Sequence, residues 1–234
     1  MVFLMNIGNT HTQTATYFDG KMSGVKTTKT SVLSSEILPK NMPIAATTVV
    51  PAVKKFFADS PIFWVDARVN TGLEMSKVDR TTIGGDRVAN AIYLATAVPS
   101  PAVCIDIGTA ITFEIIEGNS FCGGYILPGR HLLRRSLHDF TAQLPLLPLS
   151  QELPPELAGT NTERAMRLGI DGGVIGAVRE LMNRVKTMFE SKTVNFIGIG
   201  GDREFLINAI PEIKDGGNLC TLEGVRIAWE RNNR

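Results

Sequence analysis

The chain has 234 residues, enough for one large domain or two small domains that each bury a core. Its hydrophobic content is 44% and its net charge of +1 comes without a basic tail, so neither nucleic acid nor a membrane is an expected partner. Three cysteines without a Cys-x-x-Cys pair, and a start without signal-peptide features, predict a cytoplasmic protein.

The first elements form a strand, a polar turn and two further strands. The apolar segment Val2–Met5 predicts a buried strand that ends in Asn6-Ile7-Gly8-Asn9-Thr10. A polar strand then runs to about Phe18, Asp19-Gly20 predicts a turn, and Lys21–Thr28 predicts a third strand. The turn after the first strand is either a plain hairpin bend or a phosphate cradle of backbone N–H groups and hydroxyls.

A second group of elements leads to a polar helix start. Ala45–Val50 and Pro61–Val65 predict strands, and Ala52–Ala58 between them predicts a helix opened by proline. Gly84-Gly85-Asp86-Arg87 then precedes a helix over Val88–Ala97. Asp86 is either the N-cap of that helix or a general base for a hydroxyl, with Arg87 holding an anionic group.

The strand-turn pattern then returns. Ala102–Ile105 predicts a buried strand, Asp106-Ile107-Gly108-Thr109 a tight turn and Ile111–Ile116 a second strand. Gly108 permits close backbone approach, Thr109 offers a hydroxyl and Asp106 can hold a cation, although this sequence is also common in ordinary hairpin turns.

The remaining segments predict mostly helices. A long helix from about Glu163 contains Gly169 and Gly172-Gly173, which suggest a break or close packing. The other predicted elements are a strand over Phe121–Leu127, an amphipathic helix over Arg130–Phe140 with basic residues on one side, an extended proline-rich loop over Leu144–Leu157, a strand over Val194–Ile199 before Gly200-Gly201-Asp202, a helix over Arg203–Ala209, a short strand near Leu219 and a final helix over Glu223–Trp229.

The two similar hairpins, almost half the chain apart, predict an internal duplication, unless two unrelated hairpins share a turn sequence. The expected fold is α/β, with two similar lobes, residues 1–100 and 101–234, of repeated β-β-β-α-β-α elements facing a central cleft. No Walker A or first-strand Gly-x-Gly-x-x-Gly pattern occurs. Two glycine turns and an Asp-Arg pair instead suit phosphoryl transfer, which needs positioned phosphates, cations and an oriented base.

The order of these motifs resembles the type III pantothenate kinases, whose superfamily includes acetate kinases, sugar kinases, Hsp70 and actin and has ribonuclease H-like lobes. The similarity covers most of the chain. It rests on five segments in the family's order: Asn6–Thr10, Gly84–Arg87, Asp106–Ala110, Gly123–Gly129 and Asn161–Gly169.

This resemblance implies an ATP:pantothenate 4′-phosphotransferase that makes 4′-phosphopantothenate for coenzyme A biosynthesis. It implies that Asp86 is the general base, that Asp106 ligates a monovalent cation (potassium or ammonium), and that a divalent cation such as magnesium accompanies ATP. It also implies a homodimer. The implied ATP contacts are Asn6, Ile7, Gly8, Asn9, Thr10, His11, Thr12, Gln13 and Thr109, and the implied pantothenate contacts are Gly84, Gly85, Asp86, Arg87 and Thr162.

Asn6 departs from the family, which has an aspartate at this position that helps to hold the divalent ion. Acetate kinases carry an asparagine in a comparable place, so transfer does not strictly require the carboxylate. The alternative interpretation is a catalytically weak or inactive relative that binds ligand as an accessory protein.

Overall fold

In the part of the chain that the structure describes, the strands form two five-stranded sheets with the same strand order. The computed structural model describes residues 1–152 and 157–233. The sheet orders are β3-β2-β1-β4-β5 and β8-β7-β6-β9-β10. The strands are β1 (Val2–Ile7), β2 (His11–Phe18), β3 (Lys21–Lys29), β4 (Ile44–Thr48), β5 (Ile62–Trp64), β6 (Ala102–Ile107), β7 (Ala110–Glu117), β8 (Ser120–Pro128), β9 (Asn195–Ile199) and β10 (Ile213–Asp215).

The helices follow the same repeat, with one difference. They are α1 (Pro51–Phe56), α2 (Gly85–Ala97), α3 (Arg130–Asp139), α4 (Thr162–Met188), α5 (Arg203–Ala209) and α6 (Cys220–Asn232). Between the third and fourth strands, the first half has two 3₁₀ turns (Thr30–Val32 and Ser35–Ile37), whereas the second half has α3 and α4. This shared order confirms the predicted duplicated α/β fold.

By its contacts the chain divides into two compact units. The first contains Met1–Pro99, Ile116–Gly123 and Asn218–Arg234, and the second contains Ser100–Ile115 and Gly124–Gly217. The lobe bounds 1–100 and 101–234 stay a prediction. Within residues 1–152 and 157–233, every helix is too short or too polar to cross a bilayer.

In the first unit, β1 pairs with β2 in antiparallel and with β4 in parallel orientation. Met5, Ile7 and Phe57 belong to its buried core. The parallel register sets Asn6 opposite Thr47, so the turn after β1 and the end of β4 lie at one edge of the sheet.

In the second unit, β6 and β9 repeat this arrangement. Ala102–Ile105 is buried, as expected of a strand covered on both faces. β6 is parallel to β9 with Asp106 opposite Ile199, and β10 is parallel to β9. The carboxyl ends of these strands therefore also meet at one edge.

The predicted break in the long helix is wrong. α4 is continuous, and a Cβ atom added at Gly169, Gly172 or Gly173 would meet no atom within 4 Å, so these glycines serve neither a break nor a close contact among the described residues. A helical glycine costs about 1 kcal/mol relative to alanine. Burial of the apolar residues at four-residue spacing outweighs this cost; they are Met166, Ile170, Val174 and Val178.

The second half also contains a strand and a loop that can be compared with the predictions. The strand expected near Leu219 is instead β10, and Leu219 is the N-cap of α6. The predicted loop Leu144–Leu157 has no helix or strand in its described part, and residues 153–156 lie outside the described residues.

Gly224 allows α6 to lie very close to α2 in the first unit, and this contact predicts the effect of an added side chain on stability. A Cβ atom at Gly224 of α6 would lie 3.0 Å from Ala89 Cα of α2 and closer still to the Ala89 carbonyl. We expect Gly224→Ala to lower the free energy of unfolding by about 1–3 kcal/mol, as overpacking does. The measurement is urea unfolding followed by circular dichroism.

Gly176→Ala is the matched control, because an added Cβ in this helical position meets open space. It should raise the stability of the protein by up to about 1 kcal/mol through helix propensity. Equal effects of the two substitutions would contradict the close-packing argument.

Candidate active site

Asn6 places an unsatisfied oxygen at the sheet edge of the first unit. It is the second-last residue of β1 and pairs with Gln13 and Thr47 on the neighbouring strands. Its side-chain Oδ1 is buried and has no hydrogen-bond partner among the described residues. Leaving a buried acceptor unsatisfied costs free energy, and carboxamide oxygens are ligands of hard cations, so this oxygen suits a bound cation or donor.

The turn after β1 is fixed by a threonine that directly follows β3. The Gly8 N–H donates to the His11 carbonyl at 2.9 Å, and the Thr30 hydroxyl donates to the Gly8 carbonyl at 2.8 Å. The hydroxyl of the buried Thr12 lies 3.1 Å from that of Thr30, whereas residues 9–11 are exposed. Thr30 was not predicted from the sequence, because its place at this turn depends on strand pairing.

The end of β4 joins this turn to the start of α2. The Thr48 hydroxyl donates to the Ile7 carbonyl at 3.1 Å, and the Thr47 hydroxyl donates to the Val65 carbonyl at 3.1 Å. Gly85 packs so closely here that an added Cβ would lie 2.6 Å from the Val65 carbonyl oxygen. The first unit thus brings the predicted residues Asn6–Gln13 and Gly84–Arg87 to the same edge of its sheet.

Asp86 lies inside the first turn of α2. The N-cap is Gly84, so the N-cap interpretation of Asp86 is wrong. Its Oδ1 accepts the Arg87 N–H at 2.7 Å and would lie 2.8 Å from a Cβ on Gly84. Burial raises the pKa of the Asp86 carboxyl above its ordinary value, although the N–H and charge of Arg87 oppose that rise. A more basic carboxylate is better suited to accept a proton.

A cavity of about 590 Å³ lies in the first unit beside Gly84 and Gly85. Its lining includes Lys54, Arg68, Arg80 and Asp66. The three cations outnumber the one carboxylate, so the cavity favours a small anionic ligand.

Asp66 organises the cations of this cavity. It pairs with Lys54 at 3.1 Å and with Arg68 at 2.6 Å. Burial alone would raise the Asp66 pKa, but the hydrogen bonds from Arg68 and Lys54 outweigh it and lower the pKa to about 2. Arg80 is held separately, through Nε at 3.0 Å from the Ala67 carbonyl. None of these residues was predicted from the sequence to belong to the site.

In the second unit, the turn after β6 meets two glycine-containing segments. The Gly108 N–H donates to the Ala110 carbonyl at 3.0 Å, and the Gly129 N–H donates to the Thr109 carbonyl at 2.9 Å. Gly200, whose φ is +92°, approaches Asp106 so closely that a Cβ would lie 2.6 Å from Oδ1. Only glycine fits such a position without strain.

The predicted residues of the second unit are Asp106, Thr109 and Thr162. Asp106 is half-buried and Thr109 is exposed. Thr162 is the exposed first residue of α4, and Asn161 before it caps the helix by accepting the Arg164 N–H at 3.0 Å. No group of three or more His, Cys, Asp or Glu side chains within the described ranges can hold a metal ion. A magnesium ion, which keeps waters and binds through one or two protein ligands plus phosphates, is compatible with a single ligand such as Asn6.

The predicted amphipathic helix is present as α3, and two of its basic residues, Arg130 and Arg134, lie on its buried side. Arg130 and Arg134 are fully buried and form ion pairs with Asp171 and Asp202. The sequence pattern could not show this, because the partners lie on α4 and before α5.

Comparison with known protein families gives one consistent result. The model of the family described as "Type III pantothenate kinase" matches residues 2–184. A type III pantothenate kinase of Endomicrobium trichonymphae is 32% identical over 80% of this chain and 74% of its own length. Another, from Methylacidiphilum infernorum, is 29% identical over 98% of this chain and 88% of its own length.

Solved structures share the fold at low sequence identity. A Baf family transcriptional activator from Campylobacter jejuni superposes with a TM-score of 0.69 at 20% identity over 98% of both chains. Component A of the (R)-2-hydroxyglutaryl-CoA dehydratase from Acidaminococcus fermentans gives a TM-score of 0.58 at 13% identity over all of both chains. These similarities concern the fold alone.

The raised pKa of Asp86 predicts a pH-dependent stability difference. Because the folded-state pKa lies above the unfolded value of about 3.9, the contribution of Asp86 is fully present below that value and is lost as the pH rises through the folded-state pKa. Asparagine cannot ionise. We expect Asp86→Asn to gain thermal stability relative to wild type as the pH rises from about 4 to about 8.

The measurement is the unfolding temperature of both proteins across that pH range. Glu36→Gln, at an exposed position, is the control and should show no such trend. A difference between Asp86→Asn and wild type that stays constant with pH, or that falls as the pH rises, would contradict the assigned pKa direction.

Proposed function

The chain belongs to the type III pantothenate kinase family, and from that premise we propose that it transfers the γ-phosphoryl group of ATP to pantothenate. The product is 4′-phosphopantothenate, the first committed intermediate toward coenzyme A. The observation that carries the proposal is the raised pKa of the Asp86 carboxyl. This residue lies in the first turn of α2, at the same edge of the sheet as the Asn6 turn.

In this reaction Asp86 accepts the proton of the primary hydroxyl of pantothenate. The hydroxyl oxygen then forms a bond to the γ-phosphorus, the bond from that phosphorus to the β,γ-bridging oxygen breaks, and ADP leaves. Arg87 and the cationic cavity beside Gly84 and Gly85 favour the binding of the anionic substrate.

The phosphate-binding roles fall on the two turns. Asn6–Gln13 and Thr109 contact ATP, and Asn6 Oδ1 offers one ligand to a divalent cation, which when bound neutralises phosphate charge. Asp106 holds a monovalent cation, potassium or ammonium, and Thr162 contacts pantothenate. The working form is a homodimer in the reducing cytoplasm, a location supported by the three free cysteines.

Asn6 supports a second candidate function. An amide offers one neutral oxygen in place of a carboxylate, so the attraction for a divalent ion is weaker. If residue 6 attracts the divalent cation too weakly for transfer, the protein would bind nucleotide or pantothenate without transferring phosphate. It would then act as an accessory protein.

Replacement of Asp86 tests the base assignment. We expect Asp86→Asn to lower turnover by at least about 10²-fold, because the hydroxyl loses its proton acceptor. The measurement is coupled ADP release with pantothenate, magnesium and potassium. Nucleotide binding, measured by calorimetry, should stay close to wild type. Retained turnover in this variant would show that another group is the base.

Replacement of Asn6 separates the two candidate functions. We expect the wild-type protein to turn over, and Asn6→Asp to lower the magnesium concentration for half-maximal activity by up to about tenfold, equivalent to about 1.4 kcal/mol. Asn41→Asp adds the same charge at an exposed position outside the assigned contacts and is the control. Background turnover in wild type with clear turnover in Asn6→Asp would favour the accessory protein.

A further inference from the structure

Arg130, the first residue of α3, makes a bidentate ion pair with Asp202. Its Nε lies 2.8 Å from Asp202 Oδ2 and its Nη2 lies 2.5 Å from Asp202 Oδ1. The Arg130 side chain has no exposed surface, and that of Asp202 is 9% exposed. A parallel pair of charged hydrogen bonds fixes orientation as well as distance.

The remaining face and nitrogen of the Arg130 guanidinium are also occupied. Nη1 donates to the Ser150 carbonyl at 2.9 Å and to Asp171 Oδ1 at 3.3 Å. The guanidinium carbon lies 3.4 Å from the centre of the Phe205 ring. Arg130 is thus held from several directions and has little freedom to move.

Both partners are covalently next to the glycine segments of the site. Arg130 follows Gly129, whose N–H binds the Thr109 carbonyl. Asp202 follows Gly200-Gly201, and its own N–H donates to the Ile107 carbonyl at 3.0 Å. The ion pair therefore ties together the segments that pack on either side of the Asp106 turn.

We propose that Arg130 is a positioning residue for the nucleotide: through Asp202 it fixes the Gly200–Asp202 segment against the Ile107–Thr109 turn. The inference rests on the proposed function, which assigns ATP contacts to this turn. A buried ion pair contributes little net stability, because desolvation offsets the attraction. Its effect here is geometric, since it holds the two backbone segments against each other.

Arg134 provides a control of the same kind. It is one helical turn further along α3, is equally buried, and pairs with Asp171 at 2.8 Å. Among the described residues it makes no ion pair with Asp202, because its Nη2 bonds go to the two Asp171 oxygens. Arg130→Met and Arg134→Met therefore both remove a buried guanidinium, but only the first unpairs Asp202.

The first experiment uses the protein without nucleotide. Hydrogen exchange of the backbone over residues 198–206 should become at least about tenfold faster in Arg130→Met, because the unpaired Asp202 no longer fixes this segment. In Arg134→Met it should stay near the wild-type rate. Equal exchange in the two variants would overturn the inference.

The second experiment measures kinetics with ADP release. Arg130→Met should raise the KM for ATP by about tenfold and leave the KM for pantothenate within about twofold of wild type, whereas Arg134→Met should change neither. A rise in both KM values, or a matching effect of Arg134→Met, would show a merely structural role. If wild type binds no adenine nucleotide, the proposed function fails, and the exchange experiment decides alone whether Arg130 fixes the segment.

A double variant covers the case in which Arg130→Met does not fold. Arg130→Gln with Asp202→Asn removes both charges and leaves no buried charge unpaired between them. We expect it to fold, to exchange faster over residues 198–206 and to show the raised KM for ATP. Wild-type values for both quantities would overturn the inference.

Discussion

The parallel pairing of the first and fourth strands of each half is the constraint on which both turns depend. It places the end of β1 beside the end of β4, and the end of β6 beside the end of β9. Side chains alternate along a strand, so a slip of one residue would turn Asn6 or Asp106 to the opposite face of its sheet. Ligand sites form at the carboxyl ends of such strands because the chain leaves the sheet there with free backbone groups.

The two halves meet this constraint with different chemistry. In the first, threonine hydroxyls add to the backbone hydrogen bonds of the turn: Thr30 binds the Gly8 carbonyl and Thr48 the Ile7 carbonyl, which also accepts the Val49 N–H. In the second, backbone hydrogen bonds from Gly129 and Asp202 close it. In the second half the buried Arg130–Asp202 ion pair adds to these hydrogen bonds.

Local sequence patterns were sufficient for most elements and for the turns. Alternating and apolar runs, bounded by glycine turns, predicted the duplicated strands, and the positions of Asn6, Asp86 and Asp106 at turns or at a helix start follow from them. The continuity of α4 was not predictable in this way. Its glycines weaken the helix locally, and tertiary burial of its apolar face outweighs that weakness.

Contacts between distant residues account for the rest of what was missed. Arg130 is 72 residues from Asp202 and 41 from Asp171, and no spacing rule connects them. Lys54, Arg68 and Arg80 lie on separate segments and meet only where the cavity forms. A charged side chain in a sequence is most often solvated, so its burial becomes visible only with its partner.

Asp86 shows how such a site opposes the stability of its own fold. Burial favours the protonated carboxyl, which is useless as a base, whereas the Arg87 N–H and charge favour the ionised form. A neutral residue would be easier to bury here, and a fully exposed aspartate would be a weaker base. In the first turn of α2 the Asp86 side chain is half-buried. Gly84 has no side chain, so it leaves room for the carboxylate to fold back onto the helix start. The glycine at position 84 therefore helps to set the position of the Asp86 carboxylate.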